Sequence, residues 1–90
     1  MATNSCTAGL DAIFRSLDIE DKEVIIPTNT FAATAYGVIN AGGIPVFADI
    51  DRTMNIDPES VKNLITNNTV GVCVVHMGGY ITPKIDELLD

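Results

Sequence analysis

Apolar positions along this chain alternate between spaced stripes and short unbroken runs. Leu10, Ile13, Phe14 and Leu17 stand at i, i+3, i+4 and i+7, which predicts an amphipathic helix beginning near Thr7 with Asn4 and Ser5 as its capping region. After an acidic turn from Asp18 to Glu23, Val24, Ile25 and Ile26 form a run closed by Pro27. A short apolar run without polar alternation fits a strand buried on both faces. A second helix is expected from Phe31 to Ala41, burying Ala35, Val38 and Ile39, with Gly42-Gly43 as its stop and a strand from Ile44 to Ala48 directly after it.

Asp57 before Pro58 is an N-cap followed by proline at the first helical position. Val61, Leu64 and Ile65 then make the inward stripe of a third helix ending near Thr66. Asn67-Asn68 turns the chain into a strand from Val70 to Val75, His76-Met77-Gly78-Gly79 opens a loop, and Thr82-Pro83 starts a helix carrying Ile85, Leu88 and Leu89. Helices alternating with short apolar strands predict an α/β fold, a mostly parallel sheet covered by helices. About three strands leave two unpaired edges, and the first and last helices look cut, so the piece is expected to be marginal alone.

Charge and composition narrow the function. With 12 acidic against 5 basic residues the formal charge is −7, which repels phosphate backbones and argues against nucleic-acid binding. An apolar content of 47% is high for a chain of 90 residues and reads like the inside of something larger. Val24 to Ala48 holds no charged residue, but Pro27, Asn29, Asn40, Gly42, Gly43 and Pro45 break it into short elements, so no membrane span is expected. Cys6 and Cys73 are far apart and in no metal-ligand spacing, no secretory signal follows Met1, and a reducing cytoplasm is the expected location. The Asn67-Asn68-Thr69 sequon is then coincidental.

In an open α/β sheet, ligands bind beyond the carboxyl ends of the strands. That rim is expected to hold 27–31, 49–53 and 76–79, joined by 4–7. Ser5-Cys6-Thr7 at a helix start offers free N–H groups, hydroxyls and the positive end of the helix dipole, a cup for a phosphate monoester. Plain helix capping accounts for the tripeptide equally simply.

The surrounding residues add a resemblance. Asn4-Ser5-Cys6-Thr7-Ala8-Gly9-Leu10, then 23–34 (EVIIPTNTFAAT), then 43–51 (GIPVFADID) with Asn55-Ile56-Asp57-Pro58, then Val75-His76-Met77-Gly78-Gly79 resemble, in order and spacing, the DegT/DnrJ/StrS family of sugar aminotransferases. The likeness covers essentially the whole chain. It implies a fold-type-I enzyme of nucleotide-sugar biosynthesis that uses pyridoxal 5'-phosphate (PLP) to move an amino group, usually from glutamate, onto a keto group of a nucleotide-linked sugar, and that is a homodimer when complete. It further implies that Cys6 and Thr7 bind the cofactor phosphate and that Phe31 stacks on the pyridine ring. Without the family pattern, Phe31 reads equally as a core residue at a helix start.

By the same resemblance the Schiff-base lysine lies well downstream, and Lys22, Lys62 and Lys84 match none of its context. The carboxylate that pairs with the pyridinium nitrogen belongs to a Glu-Asp motif beyond Asp90. Residues 1–90 are therefore expected to be an incomplete segment of one α/β cofactor-binding domain, the start of the large domain of a PLP-dependent transferase, inactive alone and without a catalytic residue of its own.

Two other readings stand beside it. Asp49-Ile50-Asp51-Arg52-Thr53 after a strand matches the Asp-x-Asp-x-Thr motif of haloacid-dehalogenase-type phosphatases, in which Asp49 would attack phosphorus, Asp51 protonate the leaving group and Mg²⁺ bridge them. Its plain counterpart is a solvated acidic turn. The other reading is a non-catalytic remnant. His76 stands where a general base could, but no carboxylate is placed by sequence to orient it, so it reads as structural. Cys73 reads as an inert small hydrophobe in a strand.

Overall fold

The computed structural model describes residues 2–89. Helix α1 (Cys6–Ser16) opens on Ser5, which is extended at φ −160°, ψ 160°, and whose hydroxyl accepts the Ala8 N–H at 3.1 Å. Strand β1 (Glu23–Pro27), helix α2 (Ala33–Asn40), strand β2 (Ile44–Ala48), helix α3 (Pro58–Leu64) and strand β3 (Thr69–Val72) follow. A 3₁₀ turn (Met77–Gly79) and helix α4 (Ile85–Leu89) complete the order. The strands form one parallel sheet in the order β2-β1-β3, with Ile25 opposite Val46 on one side and Val72 on the other.

Because successive side chains of a strand point to opposite faces, the unbroken run in β1 feeds two cores. Val24 and Ile26 pack with Phe14, Ile19 and Val38 beneath α1 and α2. Ile25 packs with Ala48, Ile56 and Val61 on the other face, against which Leu64 and Leu88 of α3 and α4 also lean. The doubly covered central strand is the physical content of the α/β expectation. Asp57 caps α3 as read from sequence, its carboxylate accepting the Glu59 N–H at 3.1 Å, and Gly42 at φ 84° ends α2 in the left-handed region.

Several expectations need correction. α2 starts at Ala33, leaving Phe31 on the rim loop, and its inward face is Ala33, Thr34, Gly37 and Val38. Ala35 is only half-buried and Ile39 is 50% exposed. The helix is rotated because Gly37, having no side chain, lets α1 approach at Phe14. Ile13 and Leu17 are exposed for a related reason: α1 overhangs the outer side of β3, where they line an apolar groove of about 400 Å³ with Val70.

β3 is shorter than the predicted 70–75, although the Cys73 N–H still bonds the Ile25 carbonyl at 2.8 Å. α3 stops at Leu64 and turns Ile65 outward. Side chains take over the chain direction there: the Thr66 hydroxyl donates to Glu23 Oε1 at 2.7 Å and Asn68 Nδ2 donates to the Asp21 carbonyl at 2.8 Å. α4 begins after Thr82-Pro83 rather than at it, because the Thr82 hydroxyl accepts the Lys84 N–H at 3.3 Å and holds a turn.

Candidate functional site

One cleft of about 630 Å³ opens at the carboxyl rim of β1 and β3 and is lined by Cys6, Thr7, Thr30, Phe31, Cys73 and His76 among others. Its size is that of an ordinary small-molecule site. Cys6 and Thr7 are the first two residues of α1 and both are exposed. The capping hydroxyl of Ser5 takes the Ala8 N–H, and the Ser5 carbonyl takes the Gly9 N–H at 3.1 Å, so the N–H groups of Cys6 and Thr7 have no acceptor among the described residues. Those donors and the Thr7 hydroxyl stand at the positive end of the helix.

Phe31 is 79% exposed, which excludes the core role considered for it. It is carried on the loop between Pro27 and α2, whose turn is closed by the Thr34 N–H on the Phe31 carbonyl at 3.1 Å and by a 2.9 Å hydrogen bond between the Thr30 and Thr34 hydroxyls. The sequence thus places the three residues singled out for a phosphate-bearing aromatic ligand on a single cleft. Cys73, on the same wall, is half-buried, and burial, helped by the negative charge of a Cys6 thiolate, pushes its thiol upward. Lys22 and Lys62 are exposed on other parts of the molecule, and no lysine lines the cleft.

The acidic turn does different work from the phosphatase reading. Asp49 is exposed and engaged through its backbone, its N–H donating to the Ser60 hydroxyl at 3.0 Å. Asp51 Oδ1 accepts both the hydroxyl and the N–H of Thr53, at 2.5 and 2.8 Å, while Oδ2 lies 3.4 Å from Lys84 Nζ. The Thr53 hydroxyl above all, then the Thr53 N–H and Lys84, hold the Asp51 carboxyl below its ordinary range against the opposing effect of burial. Oδ1 is therefore engaged inside the turn, while the buried Oδ2 has no hydrogen-bond partner and faces only the Lys84 ammonium from the approach to α4. Among the described residues no three His, Cys, Asp or Glu side chains converge on one point.

The residues that sequence reasoning passed over are Asn55 and Thr82. Asn55 is 1% exposed; its Oδ1 accepts the Met77 N–H at 2.9 Å and its Nδ2 donates to the Tyr80 carbonyl at 3.2 Å. The Thr82 N–H donates to His76 Nδ1 at 3.2 Å. The loop that carries His76 to the cleft is thus clasped by the β2–α3 connection. Asn55 stands in the Asn55-Ile56-Asp57-Pro58 stretch of the family resemblance, but with no role attached, and its other signal is an amide wedged between Met54 and Ile56 where an apolar residue would suit the core.

Comparison with known proteins bears on the same region. The spore coat polysaccharide biosynthesis protein SpsC of Bacillus subtilis is 44% identical over 88% of this chain. The dTDP-3-amino-3,6-dideoxy-alpha-D-galactopyranose transaminase of Aneurinibacillus thermoaerophilus is 41% identical over 79% of it. The PLP form of Spr1654 from Streptococcus pneumoniae superposes on 96% of the chain with a TM-score of 0.88 at 32% identity. The chain spans 21% of the length of each of those two curated relatives and 22% of that solved chain. The parallel three-stranded sheet and its helices accordingly share the fold of the matching part of a fold-type-I aminotransferase. The phosphatase alternative falls with this result, for a family model matches residues 1–90 from end to end: the chain belongs to the DegT/DnrJ/EryC1/StrS aminotransferase family.

Proposed function

We propose that residues 1–90 are the opening segment of the cofactor domain of a PLP-dependent aminotransferase, whose complete form transfers an amino group from a donor such as glutamate to the keto group of a nucleotide-linked sugar. The observation that carries this is the single cleft joining the open N-terminus of α1 to the exposed ring of Phe31. Free N–H groups of Cys6 and Thr7 and the Thr7 hydroxyl suit a phosphate dianion, and a flat exposed aromatic suits a pyridine ring. Bound PLP supplies the electron sink that amino-group transfer requires. This chain's residues bind its phosphate, orient its ring and shield one face of it from water.

The relatives support the substrate class, since one of them is named as a transaminase of a dTDP-linked amino sugar. Homodimerisation of the complete enzyme and a cytoplasmic location belong to the same proposal. Among the described residues no helix is long and apolar enough to cross a membrane.

With no lysine on the cleft, PLP is held here by non-covalent contacts alone. Charge-assisted hydrogen bonds contribute about 1.5 to 3 kcal/mol each and stacking about 1, against several kcal/mol of lost freedom on association, which places the affinity near ~1 mM. Amide NMR during a PLP titration tests this. Saturable shifts at Cys6, Thr7 and Phe31 that inorganic phosphate competes away are expected, and reductive trapping should attach no stoichiometric pyridoxyl group to Lys22, Lys62 or Lys84. Shifts confined to other regions, or a stoichiometric adduct on one of those lysines, would refute the assignment.

A further inference from the structure

We infer that Asn55 is a positioning residue that presents His76 to the cleft as a hydrogen-bond donor in one fixed tautomer. A backbone N–H can only donate, so the contact from Thr82 N–H to His76 Nδ1 at 3.2 Å requires that Nδ1 carry no proton. In the neutral ring the proton then sits on Nε2, which has no protein partner among the described residues while the ring lines the cleft. A free imidazole exchanges its proton between the two nitrogens; this one is biased by its partner. The cleft gains a neutral, directional N–H suited to an acceptor oxygen of a bound ligand.

The bias depends on how the loop is held. Between His76 and Thr82 the chain passes through Gly78 and Gly79, at φ 65° and 82°, a left-handed stretch with little packing of its own. Asn55 spans it from below, its two ends on Met77 and Tyr80. Buried and using both ends of its amide, Asn55 fixes the separation of the segments that carry His76 and Thr82. Asp51, Thr53 and Lys84 brace the same connection from the side, which gives the acidic turn a role that its phosphatase-like pattern hid.

That an oxygen-bearing ligand occupies the cleft rests on the function proposed above, whereas the tautomer does not. His76 is the chain's one histidine, so its ring nitrogens are the only imidazole signals in a ¹⁵N-histidine-labelled sample. In the ligand-free full chain at pH 8 the expected spectrum has a bare Nδ1 and a protonated Nε2. Asn55→Leu should move both resonances to the averaged positions of free histidine with little change in far-UV circular dichroism. Asn55→Asp, which keeps the acceptor for the Met77 N–H, should restore part of the bias.

Should Asn55→Leu unfold the rim, Thr82→Pro decides the point by deleting the donor N–H itself, and it too should release the tautomer. Averaged signals in the unmodified chain, a bias that survives Asn55→Leu with the far-UV spectrum retained, or a bias that survives Thr82→Pro would each overturn the inference. An intact bias in a chain whose Cys6 and Thr7 amides ignore PLP would instead refute the cofactor reading alone.

Discussion

Gly37 and Phe14 meet so closely where α1 crosses α2 that a Cβ at position 37 would lie 2.9 Å from Phe14 Cδ2 and 3.2 Å from Cε2. Alanine in a helix interior gains roughly 0.5 to 1 kcal/mol over glycine, but overpacking a filled core costs about 1 to 3. The steric cost should win. Gly37→Ala is expected to lower stability by about 1 kcal/mol and Gly37→Val by more, read as a fall in the urea midpoint at constant slope.

The same contact explains which parts of the fold were legible. Periods of 3.6 and unbroken apolar runs gave the order of elements, the strand Ile44–Ala48 to the residue, and the caps at Ser5 and Asp57, because those signals are local. On α2, Val38 lies inward as expected and Ala35 packs at the core's edge, but Ile39 was misplaced because the helix's rotation is set by a glycine, which carries no hydropathy signal. The family pattern named Cys6, Thr7 and Phe31 together, and the three line one cleft. Asn55 and Thr82 act across 22 and 6 positions of sequence, on Met77 and His76, so no local spacing announced them.

Val38 and Ile39 give a direct test of that rotation. Val38 is fully buried in the core beneath α1, whereas Ile39 is half exposed. Val38→Ala should cost about 1.5 to 3 kcal/mol and Ile39→Ala well under half as much, by thermal or urea denaturation. Comparable losses from the two would restore the helix face predicted from sequence, which buried both.

Phe31 separates binding from stability. A ring 79% exposed contributes little to folding, so Phe31→Ala should change stability by no more than about 0.5 kcal/mol while weakening PLP binding severalfold in the amide titration. Thr7→Ala should behave alike, having an exposed hydroxyl at the helix start.

Asp51 predicts a pH dependence. Its carboxyl is held below the ordinary 3.8 by the Thr53 hydroxyl, so the folded pKa lies under the unfolded one. The stabilisation is complete above the unfolded value and is lost as pH falls through the folded value. Urea midpoints measured from pH 6 down to pH 2 should therefore fall more steeply below pH 4 in the native chain than in Asp51→Asn, which at neutral pH should itself be less stable by about 1 kcal/mol.

The outer side of β3 supplies the last prediction. β3 pairs only with β1 among the described residues, Val70 is exposed on it, and Ile13 and Leu17 of α1 overhang the same side. An apolar strand edge with free N–H and C=O groups is a template for pairing with another chain. The 90-residue chain should therefore self-associate with rising concentration, seen as a growing hydrodynamic radius by light scattering. A charge on the strand disfavours stacking of edges, as lysines do on natural edge strands. Val70→Lys should hold the chain monomeric to severalfold higher concentration, whereas Ile39→Lys, on the far side of α2, should not. Either lysine brings the net charge of −7 nearer zero, which by itself favours association, so equal protection by both would mean that the β3 edge does not govern it.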